Sequence, residues 1–451
     1  MAIPEEHKWR YFFHFTHIKN LDSIIKNGIL CTNIKNARGI QHENVASKGI
    51  QARRNDMDVT CGPKGKVHDY VPFYFTSMNP MFLSVINRKN QDQPFMIFFG
   101  LSIDKIENKN TVFTDASANT IPPPNFYEKS SDLNCLDWEN IDSRKWSFSD
   151  DDRHKKMAEV LIHSNVDISD IDIIVVYNDF IKKLVTKAFR DNNIEPPKIL
   201  YPYQFANRKY CFFYTKFFFP DRSTETLVTG PHLLKNYFTR LIRAIKKTRK
   251  NKNKKYLFSD VTNALREIDN NFCIIKELND IFELETDNTI HKENVSDHTK
   301  LVVDNIQQLD EFEGFSKEDQ DILKISAYLH DIGKGPKSKW TWNKGVQKAY
   351  PDHPVDAIPM LERILTEDFE NITEEEIRKI CLLVVYHDLV GDIICRGRDI
   401  QQIIDIVKDE NELNLLIALS LADVSSINET WADSIRNEIN DFKKKVLAEL
   451  E

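Results

Sequence analysis

Residues 322–335 read ILKISAYLHDIGKG. Ile322, Ile325 and Leu329 recur at helical spacing, and the run ends in His330-Asp331 with Gly333 and Gly335 close behind, where a helix is expected to stop. An imidazole and a carboxylate at the end of an apolar helix are buried ionisable groups that need a ligand. The same arrangement returns twice. KICLLVVYHDLVGD (379–392) carries His387 in the equivalent position, and LNLLIALSLADVSS (413–426) carries Asp423. With His298 and His353, these residues make a set of four histidines and two aspartates distributed over helices, and neutral imidazole with carboxylate suits divalent first-row metals.

Outward from that stretch the chain divides by texture. From about residue 230 onward glycine and proline thin out and the apolar period is helical, so this half is predicted to be all-helical. To about residue 220, short aromatic runs (Tyr11 to Phe15, Val71 to Phe75, Phe95 to Phe99, Ile171 to Tyr177) alternate with loops rich in Asn, Asp, Pro and Ser, which predicts an α+β fold. The expected division is 1–220, a basic helical linker at 221–285, and 286–451. A chain of 451 residues is long enough for two cores.

Bulk charge excludes a protein that coats nucleic acid, since the formal net charge is −8. A local exception is KNYFTRLIRAIKKTRKNKNKK (235–255), with ten basic residues and no acidic one. It reads either as a solvated linker helix or as an arm that tracks phosphates. Seven scattered cysteines without a CxxC pair suggest neither a disulfide framework nor a zinc ribbon, and a reducing cytoplasm is expected. No stretch has the roughly 18 apolar residues of a membrane span, so a soluble protein without a membrane partner is expected.

In the first half, the strand YFFHFTH (11–17) sends Phe13 and Phe15 to one face and His14 and Thr16 to the other. A helix from Asn20 to Asn27 is expected to end at Gly28. The turn CGPKG (61–65) precedes the strand VHDYVPFYF (67–75), and KKMAEVLIHSNV (155–166) places Glu159 in an apolar run, where a carboxylate must reach a rim or find a partner. Four ordered blocks, His14-x-Thr16-x-x-x-Asn20-Leu21, IQARR (50–54), HDYVPFYF (68–75) with Pro80-Met81, and AEVL (158–161), closely resemble the DarT family of DNA ADP-ribosyltransferases over roughly residues 10–210.

That resemblance implies an α+β ADP-ribosyltransferase fold that binds NAD in a cleft and transfers ADP-ribose to a base of single-stranded DNA, as a toxin or phage-defence enzyme. By the same likeness Glu159 is the catalytic glutamate and Arg54 the catalytic arginine, and His14 and Thr16 belong to the NAD-binding start, with Asn20 beside them. Tyr70 and Phe73 are expected to stack on the cofactor or a base. Thymine is the commoner target base of the family and guanine the other; the irregular segment from Ser117 to Trp146 does not choose between them. A separate antitoxin partner is conceivable for such a toxin.

The order H…HD…H…H…D resembles the HD superfamily of metal-dependent phosphohydrolases over about residues 290–440. The likeness implies that His298, His330, Asp331 and Asp423 are core ligands with Asp331 bridging, that His353 and His387 complete a second position, and that Lys334 contacts a substrate phosphate. One or two ions of Mn, Fe, Mg or Zn are implied. A protein or RNA target for the transferase, with the helical module sensing a nucleotide, is the alternative reading.

Overall fold

The computed structural model describes residues 2–43, 45, 48–145, 149–205, 212–250, 255–287 and 293–450. The chain forms two compact units. Met1–Asn87 with Gln91–Thr215 makes the first, and Arg88–Asn90 with Lys216–Glu451 the second.

The first unit is built on strands β1 (Tyr11–His17), β2 (Ile29–Leu30), β3 (Tyr70–Tyr74), β4 (Met96–Ser102), β5 (Thr111–Thr114), β6 (Phe126–Tyr127), β7 (Glu159–His163), β8 (Asn165–Val166), β9 (Ile173–Val175) and β10 (Lys198–Leu200). Eight of them form one sheet in the order β10-β9-β4-β1-β3-β7-β5-β6, and β2 pairs with β8 separately. Pairing is antiparallel except between β9 and β10. Both faces of the central strands are covered, which is why they read as almost unbroken apolar runs. On one face Phe12, Phe73, Phe99, Val160 and Ile174 pack under the Asp179–Asp191 helix, whose Ile181, Val185 and Phe189 recur every fourth residue. On the other, Phe13 and Phe15 meet Phe82, Phe98 and Phe212. The helix Leu21–Asn27 stops at Gly28, whose φ of 76° is left-handed and whose missing Cβ leaves room for the Val166 carbonyl.

One junction in this sheet is deliberately weak. β1 and β4 pair across seven residues, whereas β1 and β3 pair at Phe13↔Tyr74. Beyond that pair lies Pro72, which has no N–H to give a neighbouring strand. Its carbonyl is taken by a side chain instead: His14 Nδ1 lies 2.8 Å from Pro72 O. The two central strands part there, and a splayed pair of strands makes a cleft.

The second unit is helical with one continuous core running from Phe219 to Val446. The basic stretch expected as a linker belongs to that core. Pro231–Thr248 is an amphipathic helix that buries Leu234, Phe238, Leu241 and Ile245, and Val261–Asn270 buries Val261, Ala264, Leu265 and Ile268. Lysines and arginines dominate its composition, but apolar residues at helical spacing decide where it sits. Part of its charge is used internally: Lys235 pairs with Asp405 at 3.1 Å, and Arg249 Nη1 donates to the carbonyls of Leu365 and Phe369. The end of the basic run, 251–254, lies outside the described residues. Among the described residues no helix is long and apolar enough to cross a membrane.

Candidate functional site

Glu159 is the first residue of β7 and stands opposite Tyr74 of β3. It is fully buried. One carboxylate oxygen is saturated: Oε1 accepts from Arg54 Nη1 at 2.8 Å, the Ala118 amide at 2.8 Å and the Ser117 hydroxyl at 3.3 Å. The other, Oε2, is buried with no hydrogen-bond partner. Such an atom is costly unless something else meets it. Arg54 comes from the Lys48–Asp56 helix and is itself buried. Burial works against its charge, but the Glu159 carboxylate outweighs that and holds the guanidinium above its usual range. Burial, with Glu159 adding to it, pushes the Tyr74 phenol up, so that ring presents O–H and not a charge.

His14 donates its Nδ1 proton to Pro72 O, because a carbonyl can only accept; its Nε2 therefore carries a lone pair. Burial lowers its pKa and keeps the ring neutral. Thr16 and Asn20 are joined by a 2.9 Å hydrogen bond from Asn20 Nδ2 to Thr16 Oγ1, and Asn20 closes a ring with the backbone of Glu43 through bonds of 3.0 and 2.7 Å. Gln91 holds the Glu43 side chain at 3.1 Å. Glu43 and the Ser117-Ala118 turn escaped the sequence reading, since neither has a signature of its own. The two aromatic candidates are placed in the core. Phe73 is fully buried edge-on to Phe12, and Tyr70 is buried beside Val59, Val67 and Leu161 with its hydroxyl donated to Lys64 O. Neither ring leaves a face for stacking, because alternation along β3 turns each of them into packed interior.

The second constellation gathers at helix ends. His298 lies in Val295–Gln307, His330 and Asp331 follow Lys317–Leu329, His353 begins His353–Glu367, His387 follows Glu374–Tyr386, and Asp423 lies in Glu410–Ile427. All six are buried. Three imidazoles donate Nδ1–H to the carbonyl three residues earlier: His330 to Ala327, His353 to Tyr350 and His387 to Val384, at 2.7 to 2.8 Å. His298 Nδ1 bonds the Ser426 hydroxyl, which passes its own proton to Asp423 O. Every Nε2 is thereby left as a lone pair turned inward.

Those lone pairs face one another. His353 and His387 Nε2 are 3.0 Å apart, and His298 and His330 Nε2 are 3.4 Å apart. Asp331 reaches both pairs, with Oδ2 3.4 and 3.3 Å from His298 and His330 and Oδ1 3.2 Å from His353. Asp423 Oδ1 is 3.1 Å from His298. Two groups result, His298-His330-Asp423 and Asp331-His353-His387, with Asp388 joining His387 and Asp423 in a third. Acceptors crowded in this way repel without a positive charge among them. Against the effect of burial, Asp331 and Asp423 pull the His330 imidazole up to about 9, which is the same demand for a cation. The donor set fits one or two divalent ions. Lys334, expected on a substrate phosphate, is ion-paired with Asp331 Oδ2, and Asp388 is a cluster member that the sequence reading passed over.

A sheet unit with a buried Arg-Glu pair beside a splayed strand junction, followed by a helical unit with a His/Asp centre, defines an enzyme with two separate sites. Residues 13–206 match the family described as ssDNA thymidine ADP-ribosyltransferase, DarT, and residues 295–426 match the HD domain. A DNA ADP-ribosyl transferase of Thermus sp. (strain 2.9) is 30% identical over 183 residues, 40% of this chain and 86% of that protein. One of Thermus aquaticus is 35% identical over 155 residues, 33% of this chain and 67% of that protein. The structure of Thermus sp. 2.9 DarT in complex with ADP-ribosylated ssDNA aligns with 47% of this chain and 99% of its own, at 26% identity and a TM-score of 0.41. The chain belongs to the DarT family and carries an HD domain.

Proposed function

We propose that the first unit transfers ADP-ribose from NAD to a base of single-stranded DNA, with thymine the expected base, and that the HD unit is a metal-dependent phosphohydrolase that acts on a phosphate ester or regulates the transferase. The observation that carries the first part is the division of labour in Glu159. Oε1 is anchored by Arg54, Ala118 and Ser117, and Oε2 is left over in a buried place.

In the reaction the bond between ribose C1′ and nicotinamide breaks, nicotinamide leaves with the electron pair, and C1′ bonds to a ring nitrogen of the base. Thymine has one ring N–H in DNA, and its proton must go to a base. Glu159 Oε2 is placed to accept it or to hold a ribose hydroxyl, and its charge stabilises the positive charge that develops on the ribose. Arg54 positions that carboxylate, and its remaining N–H groups serve phosphate oxygens. His14 offers a neutral Nε2 acceptor at the mouth of the splayed strands, and Thr16 and Asn20 shape the NAD-binding start.

In the HD unit His298, His330 and Asp423 would hold one ion and Asp331, His353 and His387 the other, with Asp331 offering an oxygen to each. A metal pair held there supplies an activated water and neutralises phosphoryl charge. Cytoplasmic action against DNA suits both sites, and an antitoxin would have to block the cleft or reverse the adduct.

The test is mass spectrometry of single-stranded oligonucleotides, RNA and protein incubated with NAD and the full chain. One ADP-ribose added to a thymine-containing DNA, absent with Glu159→Ala, is expected. Labelling of RNA or protein alone would overturn the reading.

A further inference from the structure

Beside the His/Asp cluster the helical unit has a second polar recess. Its walls come from the start of the His353–Glu367 helix, the end of the Glu374–Tyr386 helix and Arg398. Two donors that line it have nothing to bond. Arg398 Nη2 and the Tyr386 hydroxyl are both buried and unpartnered, in side chains only 5% and 4% exposed. The rest of the guanidinium is engaged, with Nε donating to Gln402 at 2.7 Å and Nη1 3.4 Å from Asp392. The edge that faces the recess is therefore a fixed, charged donor in search of an acceptor.

The acids of the recess do not supply one. Asp352 is saturated by the amide and hydroxyl of Thr229 and by Lys216 Nζ at 2.9 Å. Asp388 is drawn to the cluster, 3.6 Å from His387 Nε2, and Lys89, from the Arg88–Asn90 segment grouped with this unit, stands 3.9 Å from its other oxygen. What is missing is a small group rich in acceptors and negative in charge. Tyr386 and Asp388 flank His387, so such a group would lie beside the cluster and apart from its ligands.

We propose that this recess is a phosphoryl subsite, in which Arg398 and Tyr386 hold the phosphate of a phosphate ester or the phosphate released from it. The assignment rests on the reading of the HD unit as a phosphohydrolase. It adds residues outside the H…HD…H…H…D set to that unit's substrate binding.

The experiment titrates inorganic phosphate, and then a nucleoside monophosphate, into EDTA-treated full-length protein by calorimetry. Saturable phosphate binding is expected, weakened roughly ten-fold or more by Tyr386→Phe and abolished by Arg398→Gln. Tyr386→Phe should leave the melting temperature unchanged, because the hydroxyl has no partner within the fold. Competition by the monophosphate assigns the subsite to the ester; binding of phosphate alone assigns it to the product. Absence of phosphate binding in the wild type would mean that water alone meets the two donors, and would overturn the proposal. So would affinity that survives Tyr386→Phe but is lost in His330→Ala with Asp331→Ala, which would place the phosphate at the cluster. If metal analysis finds no ion while phosphate affinity still depends on Tyr386 and Arg398, the hydrolase reading fails and the anion site stands.

Discussion

A carboxylate with one oxygen tied down and the other idle is a device whose parts can be separated by substitution. Glu159→Gln keeps the volume and an acceptor for Arg54 but removes the charge. The turnover of DNA labelling should fall about 10²–10³-fold, the usual effect of losing one electrostatic contact to the transition state, with a smaller change in KM for NAD; initial rates at varied NAD check this. A second residue predicts a pH effect. Burial holds His17 near a pKa of about 4, so it is neutral in the folded state, where its Nδ1 accepts the Lys19 amide. The unfolded chain binds that proton at about 6.5, so between these values the unfolded state carries more protons and stability falls as pH falls. From linkage, going from neutral pH to pH 5 should cost about 2 kcal/mol through this residue. The difference between wild type and His17→Gln in urea unfolding at pH 7 and pH 5 isolates it; equal losses in both proteins would refute the assignment. At this scale the sequence disclosed Glu159 as a carboxylate out of place in an apolar run. Its partner Arg54 lies 105 residues away, a separation no local pattern reports. Phe73 and Tyr70 misled for the opposite reason, since an aromatic ring beside a motif looks the same in sequence whether it faces a ligand or the core.

Helix ends do the work of the second site, and their approach depends on one glycine. A Cβ on Gly333 would lie 1.9 Å from the His353 carbonyl and 2.8 Å from the Ala357 amide, both backbone atoms that no rotamer change can move aside. The turn after His330-Asp331 can touch the start of the His353–Glu367 helix only without a side chain there. Gly333→Ala should therefore push His353 away from Asp331 and cost about 1–3 kcal/mol, as overpacking of a close contact does. Bound metal, measured by elemental analysis after equilibration with a divalent ion, should drop to one ion per chain or fewer in this variant. His353→Ala should match it, while Asp331→Ala, which removes the oxygens facing both groups, should lose both ions. A metal content unaffected by Gly333→Ala would refute the positioning role. The His-Asp-x-Gly pattern made this element legible, because residue types and helix stop coincide. The Pro231–Thr248 helix was less so: Leu234, Phe238, Leu241 and Ile245 carry its core face, but the surrounding Lys and Arg residues dominate any count of composition.

On the scale of the whole molecule, two units with cores of their own carry sites built from different chemistry, a carboxylate held by a guanidinium and a cluster of imidazoles and carboxylates. Sites that share no residue should fail separately. Glu159→Ala should abolish DNA labelling and leave metal content and phosphate-ester hydrolysis unchanged; His330→Ala with Asp331→Ala should empty the metal site and leave initial rates of labelling within about two-fold, the additivity expected of distant positions. Their time courses can still differ. If the HD unit acts on the ADP-ribosyl adduct, whose pyrophosphate is a phosphate ester of the kind such a centre cleaves, labelled DNA will pass through a maximum in the wild type and a shortened adduct will follow, whereas the metal-site variant will accumulate the full adduct. If it restrains the transferase by sensing a nucleotide, no shortened product forms and the metal-site variant differs only when that nucleotide is added. Mass spectra of one oligonucleotide over time, for wild type and both variants, distinguish the two outcomes because a cleaved pyrophosphate leaves a phosphoribosyl remnant of different mass. Identical time courses in wild type and metal-site variant, with and without added nucleotides, would refute both couplings and leave the HD centre with a substrate unrelated to the DNA adduct.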